Sequence, residues 1–295
     1  MTDRPSRFSG AWTAIVTPFR NGAVDLPALR ALVEWQISEG IDGLVACGCT
    51  GEAATLSREE HLAVIETVLD TASGRVPVIG GAGRNDTSAT VALARDVAKL
   101  GVSGLLVITP YYNKPTPAGL EAHYSAVADA AGIPVMAYNV PGRTGTNMSP
   151  ETVARIAGHP LVCAIKDAAG PAERVTAIRA LSPIAVLSGD DALALAQIAL
   201  GATGVVSVAS NVAPAAVVEM VAKALRSDFE GARKINDRLH PLFGALFLET
   251  NPIPVKKALE LMGRIGGDLR LPLTGMSPSL VPRLQEAMAA AGVTA

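Results

Sequence analysis

Gly104-Leu105-Leu106-Val107-Ile108-Thr109, Pro134-Val135-Met136-Ala137-Tyr138 and Val162-Cys163-Ala164-Ile165-Lys166 are three short apolar runs, each ended by a polar side chain. They are continuously hydrophobic rather than alternating, so they read as strands covered on both faces, the pattern of a parallel sheet. Working outward, the same pattern recurs at Trp12–Thr17, Gly43–Cys47 and Val76–Gly81 upstream and at Ile184–Ser188 and Gly204–Val208 downstream. The runs repeat every ~28 residues, close to the strand-plus-helix unit of a barrel. Amphipathic segments with recognisable ends lie between them. Ser57-x-x-Glu60 is a capping box that predicts a helix over Arg58–Thr71, and Gly101 stops the helix that ends in Lys99-Leu100. Eight such units in strand-helix order predict an α/β fold, a (β/α)8 TIM barrel closed on itself.

The rival is an open doubly wound sheet. Gly81-Ala82-Gly83 follows a strand, but Asn85 and Asp86 stand where the third glycine belongs, and no acidic residue ends the next strand. The repeat count favours the barrel. After Asn211 the pattern turns to helices only, which divides the chain into a barrel over 1–226 and a C-terminal helical region over 227–295. No Ser/Gly-rich linker separates them, so the helices should pack on the barrel.

Twenty-five basic and 27 acidic residues are interleaved along the chain, and no basic run or aromatic-basic stripe occurs, which argues against a nucleic-acid partner. The segment Met1 to Gly10 is polar and lacks a signal peptide's apolar stretch, and every longer apolar run is broken by Gly, Pro or charge before ~18 residues. A cytoplasmic protein with no membrane partner is expected. Three cysteines, Cys47, Cys49 and Cys163, are too few for a disulfide framework. Cys47-x-Cys49 lacks the paired Cys/His cluster that a zinc site requires, and His61, His123, His159 and His240 are scattered, so no metal is expected. Cys47 and Cys163 are expected to be buried, inert thiols.

Barrel enzymes place their chemistry at the C-terminal ends of the strands. Those ends carry Thr17, Gly48-Cys49-Thr50-Gly51-Glu52, Tyr111-Tyr112-Asn113, Tyr138-Asn139, Lys166-Asp167 and Ser188-Gly189-Asp190-Asp191, including three of the chain's four tyrosines. Lys166 ends an apolar strand, where burial disfavours the ammonium and leaves an amine able to attack a carbonyl. It could instead reach solvent or pair with Asp167. A phenol nearby could shuttle the protons that imine formation needs. Gly48 to Glu52 could form a nest of backbone N–H groups and the Thr50 hydroxyl for a carboxylate, or be an ordinary tight turn. Arg143, on the loop after the fifth strand, could grip a second carboxylate or lie solvated at the surface.

At these positions the sequence resembles the pyruvate-dependent lyase family that holds dihydrodipicolinate synthase and N-acetylneuraminate lyase. The resemblance covers nearly the whole chain. It rests on Gly48-x-Thr50-Gly51-Glu52, Tyr111-Tyr112-Asn113-Lys114-Pro115, Tyr138-Asn139-Val140-Pro141-x-Arg143-Thr144-Gly145, Ile165-Lys166, Ser188-Gly189-Asp190-Asp191 and Asn251-Pro252-Ile253-Pro254-Val255-Lys256. Arg143 and the Asn251–Lys256 segment are similar to the synthase branch. The resemblance implies a Schiff base between Lys166 and pyruvate, an enamine that attacks L-aspartate 4-semialdehyde, and cyclisation of the product, in lysine and diaminopimelate biosynthesis, with no cofactor. It implies Tyr138 as general acid/base, Thr50 and Gly51 at the pyruvate carboxylate, Arg143 at the semialdehyde carboxylate and the Val206 backbone facing pyruvate. It also implies that Tyr112 enters a neighbouring subunit's proton relay, in a homotetramer of tight dimers. An aldolase or dehydratase acting on a 2-oxo-3-deoxy sugar acid or a 4-hydroxy-2-oxo acid would share Lys166, Tyr138 and Thr50. A non-catalytic 2-oxo-acid sensor would be expected to have lost the lysine or the tyrosine.

Three departures stand out. Cys49 replaces the first of the family's two threonines, and a thiol is a weaker hydrogen-bonding group, so the relay should be poorer. The family's Lys-Glu-Ala-Thr-Gly becomes Lys166-Asp167-Ala168-Ala169-Gly170, a change expected to be tolerated. In the family's lysine-binding regulatory site the equivalents His61, Asn85 and Tyr111 are kept, but Ala89 and Arg58 replace a glutamate and a histidine. Losing an anion and gaining a cation should weaken binding of a cationic amino acid.

Overall fold

The computed structural model describes residues 8–294; residues 1–7 of the polar N-terminal stretch and Ala295 lie outside it. Eight parallel strands close into a barrel: β1 Gly10–Ala14, β2 Gly43–Ala46, β3 Val78–Gly81, β4 Gly104–Ile108, β5 Val135–Asn139, β6 Val162–Asp167, β7 Ala185–Ser188 and β8 Gly204–Ser207. Each pairs with its sequence neighbours, and β1 closes the ring against β8 through Gly10↔Gly204 to Thr13↔Ser207. All eight apolar runs are strands, with ends moved by up to three residues. The first stops at Ala14 rather than Thr17. The chain then turns into a small antiparallel hairpin, Phe19–Arg20 with Ala23–Val24, which two-residue strands gave no periodic signal to anticipate.

The helix after β2 runs Arg58–Ala72, with Ser57 and Glu60 forming both bonds of the capping box. The next spans Thr87–Lys99, and Gly101 follows it at φ +87°. Along β4, Leu106 faces the barrel interior with Trp12, Met136 and Tyr138, while Leu105 and Val107 face the helical layer. Core packing therefore lies in two shells on either side of the strands.

One irregularity sets the active face. Val162 belongs to the outer shell but Ala164, two residues on, belongs to the inner one. Two residues along a regular strand keep the same face, so a bulge at Cys163 has reversed the parity. The pairing shows it: Val135↔Val162 is followed by Met136↔Ala164 and then Tyr138↔Lys166. The bulge leaves Cys163 only partly buried, against expectation, and turns Lys166 inward beside Tyr138.

Beyond the last barrel helix, Pro214–Leu225, come Phe229–Ala245, Ile253–Leu261 and Val281–Ala290. Phe229–Ala245 packs along Pro214–Leu225, and Val281–Ala290 packs on it in turn. The connection through Asn251 to Lys256 returns to the barrel mouth at Thr50 and Glu52. No helix among the described residues is long and apolar enough to cross a membrane.

Candidate active site

Lys166 is 5% exposed, with its Nζ 4.3 Å from the centroid of the Tyr138 ring. Burial pulls its pKa down to about 8, with nearby Cys49 and Asp191 acting the other way. A drop of that size raises the neutral-amine fraction at neutral pH by roughly 300-fold over an ordinary lysine. Pairing with Asp167 is ruled out, because that carboxylate points away. Its Oδ2 accepts from Arg174 Nε at 3.0 Å and its Oδ1 from Asn139 Nδ2 at 2.8 Å. Arg174 drew no attention in the sequence, since nothing in its spacing marks a partner for Asp167. Room for the lysine is made by Gly189, where a Cβ would sit 3.1 Å from Lys166 Cε and 2.8 Å from Ala168 Cβ.

Tyr138 is 6% exposed, and burial pushes its phenol far above the ordinary range, reinforced by Cys49 and opposed by Arg143. Cys49 lies close enough to Tyr138 to act on its phenol, so the thiol does stand beside it. Asp191, near enough to act on the lysine electrostatically, has its Oδ2 accepting from the backbone N–H groups of Val208 and Ala209 at 2.9 Å each. Burial raises its carboxyl pKa. Val206, on β8, packs in the same interior cluster as Tyr138.

The segment from Cys47 to Glu52 is more than an ordinary tight turn. Cys47 and Glu52 adopt φ of 55° and 52°, unusual for side chains of their size. Gly51 approaches closely enough that a Cβ would lie 3.2 Å from both Cys47 N and Ile15 O, and its carbonyl accepts from Thr17 Oγ1 at 2.7 Å. The strain is held by Glu52, whose Oε1 receives Lys256 Nζ at 2.6 Å with both side chains buried. Phe19, from the hairpin, lies beneath both Lys256 and Arg270, at 4.2 and 4.4 Å from its ring centroid. Thr50 is 3% exposed, and its Oγ1 accepts from Asn251 Nδ2 at 3.0 Å. Asn251, Lys256 and Arg270 as anchors of this turn escaped the sequence reading. The Asn251–Lys256 motif was visible, but its partners lie about 200 residues away in the chain.

Arg143 sits in a single helical turn, Pro141–Thr144, rather than in open loop. Pro141 pre-sets its first residue and Gly145 ends it in the left-handed region. Its Nη2 donates to Asn251 O at 2.9 Å, and its exposed side chain lines a cleft of about 660 Å³ with Gly142, Phe247, Glu249 and Asn251. Tyr112 is not in the buried cluster: it is 89% exposed, with φ of 75°. At the expected regulatory positions, His61 is buried with Nε2 2.7 Å from Gly81 O, and burial lowers its pKa. Tyr111 is half-buried, and the Asn85 carbonyl accepts from Asn113 Nδ2 at 2.7 Å. Arg58 is engaged with Asp96. No group of three or more His, Cys, Asp and Glu placed to hold a metal occurs among the described residues.

A closed (β/α)8 barrel whose strand ends bring a buried lysine against a buried phenol is the architecture of a class I, Schiff-base lyase. Residues 7–291 match the model of the dihydrodipicolinate synthetase family, and the chain belongs to that family. It is 49% identical over 283 residues to the 4-hydroxy-tetrahydrodipicolinate synthase of Trichlorobacter lovleyi, covering 95% of this chain and 98% of that one. The enzyme of the same name from Acidithiobacillus ferrooxidans is 51% identical over 284 residues, covering 95% and 98%. The fold superposes with a TM-score of 0.95 on the chloride-inhibited dihydrodipicolinate synthase of Acinetobacter baumannii complexed with pyruvate, at 44% identity and covering 97% and 99% of the two chains.

Proposed function

We infer that the chain catalyses the condensation of pyruvate with L-aspartate 4-semialdehyde, the reaction of 4-hydroxy-tetrahydrodipicolinate synthases, and that Lys166 is its nucleophile. The observation that carries the reading is a buried amine that forms no ion pair among the described residues, set against a buried phenol. The neutral Lys166 amine adds to the pyruvate keto carbon, and water leaves as the imine forms. Loss of a methyl proton gives the enamine, whose carbon attacks the aldehyde and forms the new C–C bond. Tyr138 carries protons to the departing hydroxide and to the new alkoxide. The semialdehyde's own amine then attacks the imine carbon, closing the ring and releasing Lys166. The imine is itself the electron sink, so the scheme calls for no cofactor.

Thr50 with the backbone N–H groups at Gly51 would receive the pyruvate carboxylate, beside the Val206 backbone. Arg143, at the cleft rim, would receive that of the semialdehyde. Tyr112, a phenol held out in solvent at positive φ, is suited to enter a partner's site, in a tight dimer that pairs into a tetramer. A half-exposed thiol at the mouth fits a reducing, cytoplasmic setting. Lysine feedback should be weak, because Arg58, already paired with Asp96, brings a cation to the regulatory positions and Ala89 offers no counter-anion. Submillimolar lysine inhibition in an initial-rate assay would overturn that last point.

Steady-state assays test the substrate assignment. Turnover with pyruvate and L-aspartate 4-semialdehyde should exceed cleavage or dehydration of 2-oxo-3-deoxy sugar acids by orders of magnitude in kcat/KM. Comparable efficiency on a sugar acid would refute the assignment.

A further inference from the structure

Asn251 stands between the two groups assigned to substrate carboxylates. Its side-chain Nδ2 donates to Thr50 Oγ1 at 3.0 Å, and its backbone carbonyl accepts from Arg143 Nη2 at 2.9 Å. The residue is 5% exposed, so the amide's direction bears on stability as well as geometry. An amide N–H only donates, so the Thr50 oxygen is occupied as an acceptor and its hydroxyl proton must point elsewhere. Among the described residues that hydroxyl donates to none. In this orientation Asn251 Oδ1 is buried without a partner among the described residues.

We propose that Asn251 is a positioning residue for both subsites. Its amide fixes the Thr50 hydroxyl as a donor toward the carboxylate of the 2-oxo acid, while its carbonyl holds Arg143 for the carboxylate of the second substrate. The proposal rests on Thr50 binding the 2-oxo acid, as read above. The Glu52–Lys256 pair keeps Asn251 in place, since it pins the same C-terminal segment to the same turn one residue past Gly51. One residue of the C-terminal region thus ties together two pockets contributed by different barrel strands.

The polarity argument separates three substitutions. Asn251→Asp keeps the shape but only accepts, so it draws the Thr50 proton to itself and away from the substrate. Asn251→Ala leaves the hydroxyl free to rotate. Thr50→Val removes the group on which either change acts. The experiment titrates pyruvate against borohydride trapping, without the second substrate, in the wild type, in the three single variants and in Thr50→Val/Asn251→Ala, with melting curves to confirm folding. Asn251→Asp should raise the half-saturating pyruvate concentration by about tenfold or more, and Asn251→Ala by only a few-fold, in line with one charge-assisted against one neutral hydrogen bond. In the Thr50→Val background Asn251→Ala should cause no further change. A merely structural Asn251 would shift half-saturation equally in both backgrounds, and that result, or an Asn251→Asp protein that saturates like the wild type, would overturn the proposal. Should Asn251→Asp fail to fold, the alanine comparison across the two backgrounds decides alone. A wild type that forms no adduct would sink the Schiff-base reading and this proposal with it, whereas a normal wild type with indifferent variants would sink this proposal only.

Discussion

Two lysines are buried in this protein, and they have opposite surroundings. Lys256 is fully enclosed, with Nζ 2.6 Å from the Glu52 carboxylate and the ring of Phe19 beneath it. Lys166 is 5% exposed, lies over the ring of Tyr138 and, among the described residues, forms no ion pair with a carboxylate. Burial lowers the pKa of both, but Glu52 pulls that of Lys256 back toward the charged form, whereas Lys166 falls to about 8. The contrast separates structural from reactive burial. A counter-ion at contact distance makes a buried ammonium a clamp. Its absence leaves an amine that sheds its proton near neutrality. The distinction cannot be read from burial alone.

Removing each amine should break the comparison in a different currency of measurement. Lys166→Ala should lower kcat by at least ~10⁴-fold while leaving the fold intact, because a covalent nucleophile has no substitute. Lys256→Ala should act on stability, lowering the unfolding free energy by about 3–5 kcal/mol in denaturant titrations, since it strands the Glu52 charge in the interior. Glu52→Gln/Lys256→Met should recover most of that loss, since no charge is then left buried. A Lys256→Ala protein of unchanged stability would remove the clamp from the account.

The difference in charge state predicts a pH dependence for Lys166. Its folded pKa lies below the ordinary value of 10.5, so the cost of burying it charged is present below about pH 8 and is relieved as pH rises from there toward 10.5. The rate of borohydride-trapped imine formation should therefore rise about tenfold per pH unit below that point and level off above it. A profile still climbing through pH 10 would mean an unperturbed lysine. The smallest expected effect is at Cys49. Restoring a hydroxyl beside Tyr138 by Cys49→Thr should raise turnover a few-fold, because a hydroxyl relays a proton better than a thiol. An unchanged or lower turnover would take Cys49 out of the relay.

The sequence displayed some of these features and hid others for identifiable reasons. Eight strands were legible because each is covered on both faces and so is apolar throughout. Lys166 was legible because it ends one of those runs. The bulge at Cys163 was not, since a parity change leaves no trace in composition, yet it turns the lysine toward Tyr138. Pairing of Lys166 with Asp167 stayed open in the sequence because Arg174, which takes that carboxylate, opens the next helix seven residues on and no spacing pattern marks it. The clamp at Glu52 and the amide of Asn251 were invisible as contacts because they join a turn after the second strand to a segment some 200 residues later. Local pattern reports elements; it does not report which distant side chain closes on a turn.

The most direct test of the contrast is to reduce the wild-type protein with borohydride in the presence of pyruvate and locate the adduct by peptide mapping. The account predicts one modified site, on the peptide carrying Lys166, and an unmodified Lys256. Modification of Lys256, labelling spread over surface lysines, or no adduct at all would contradict it.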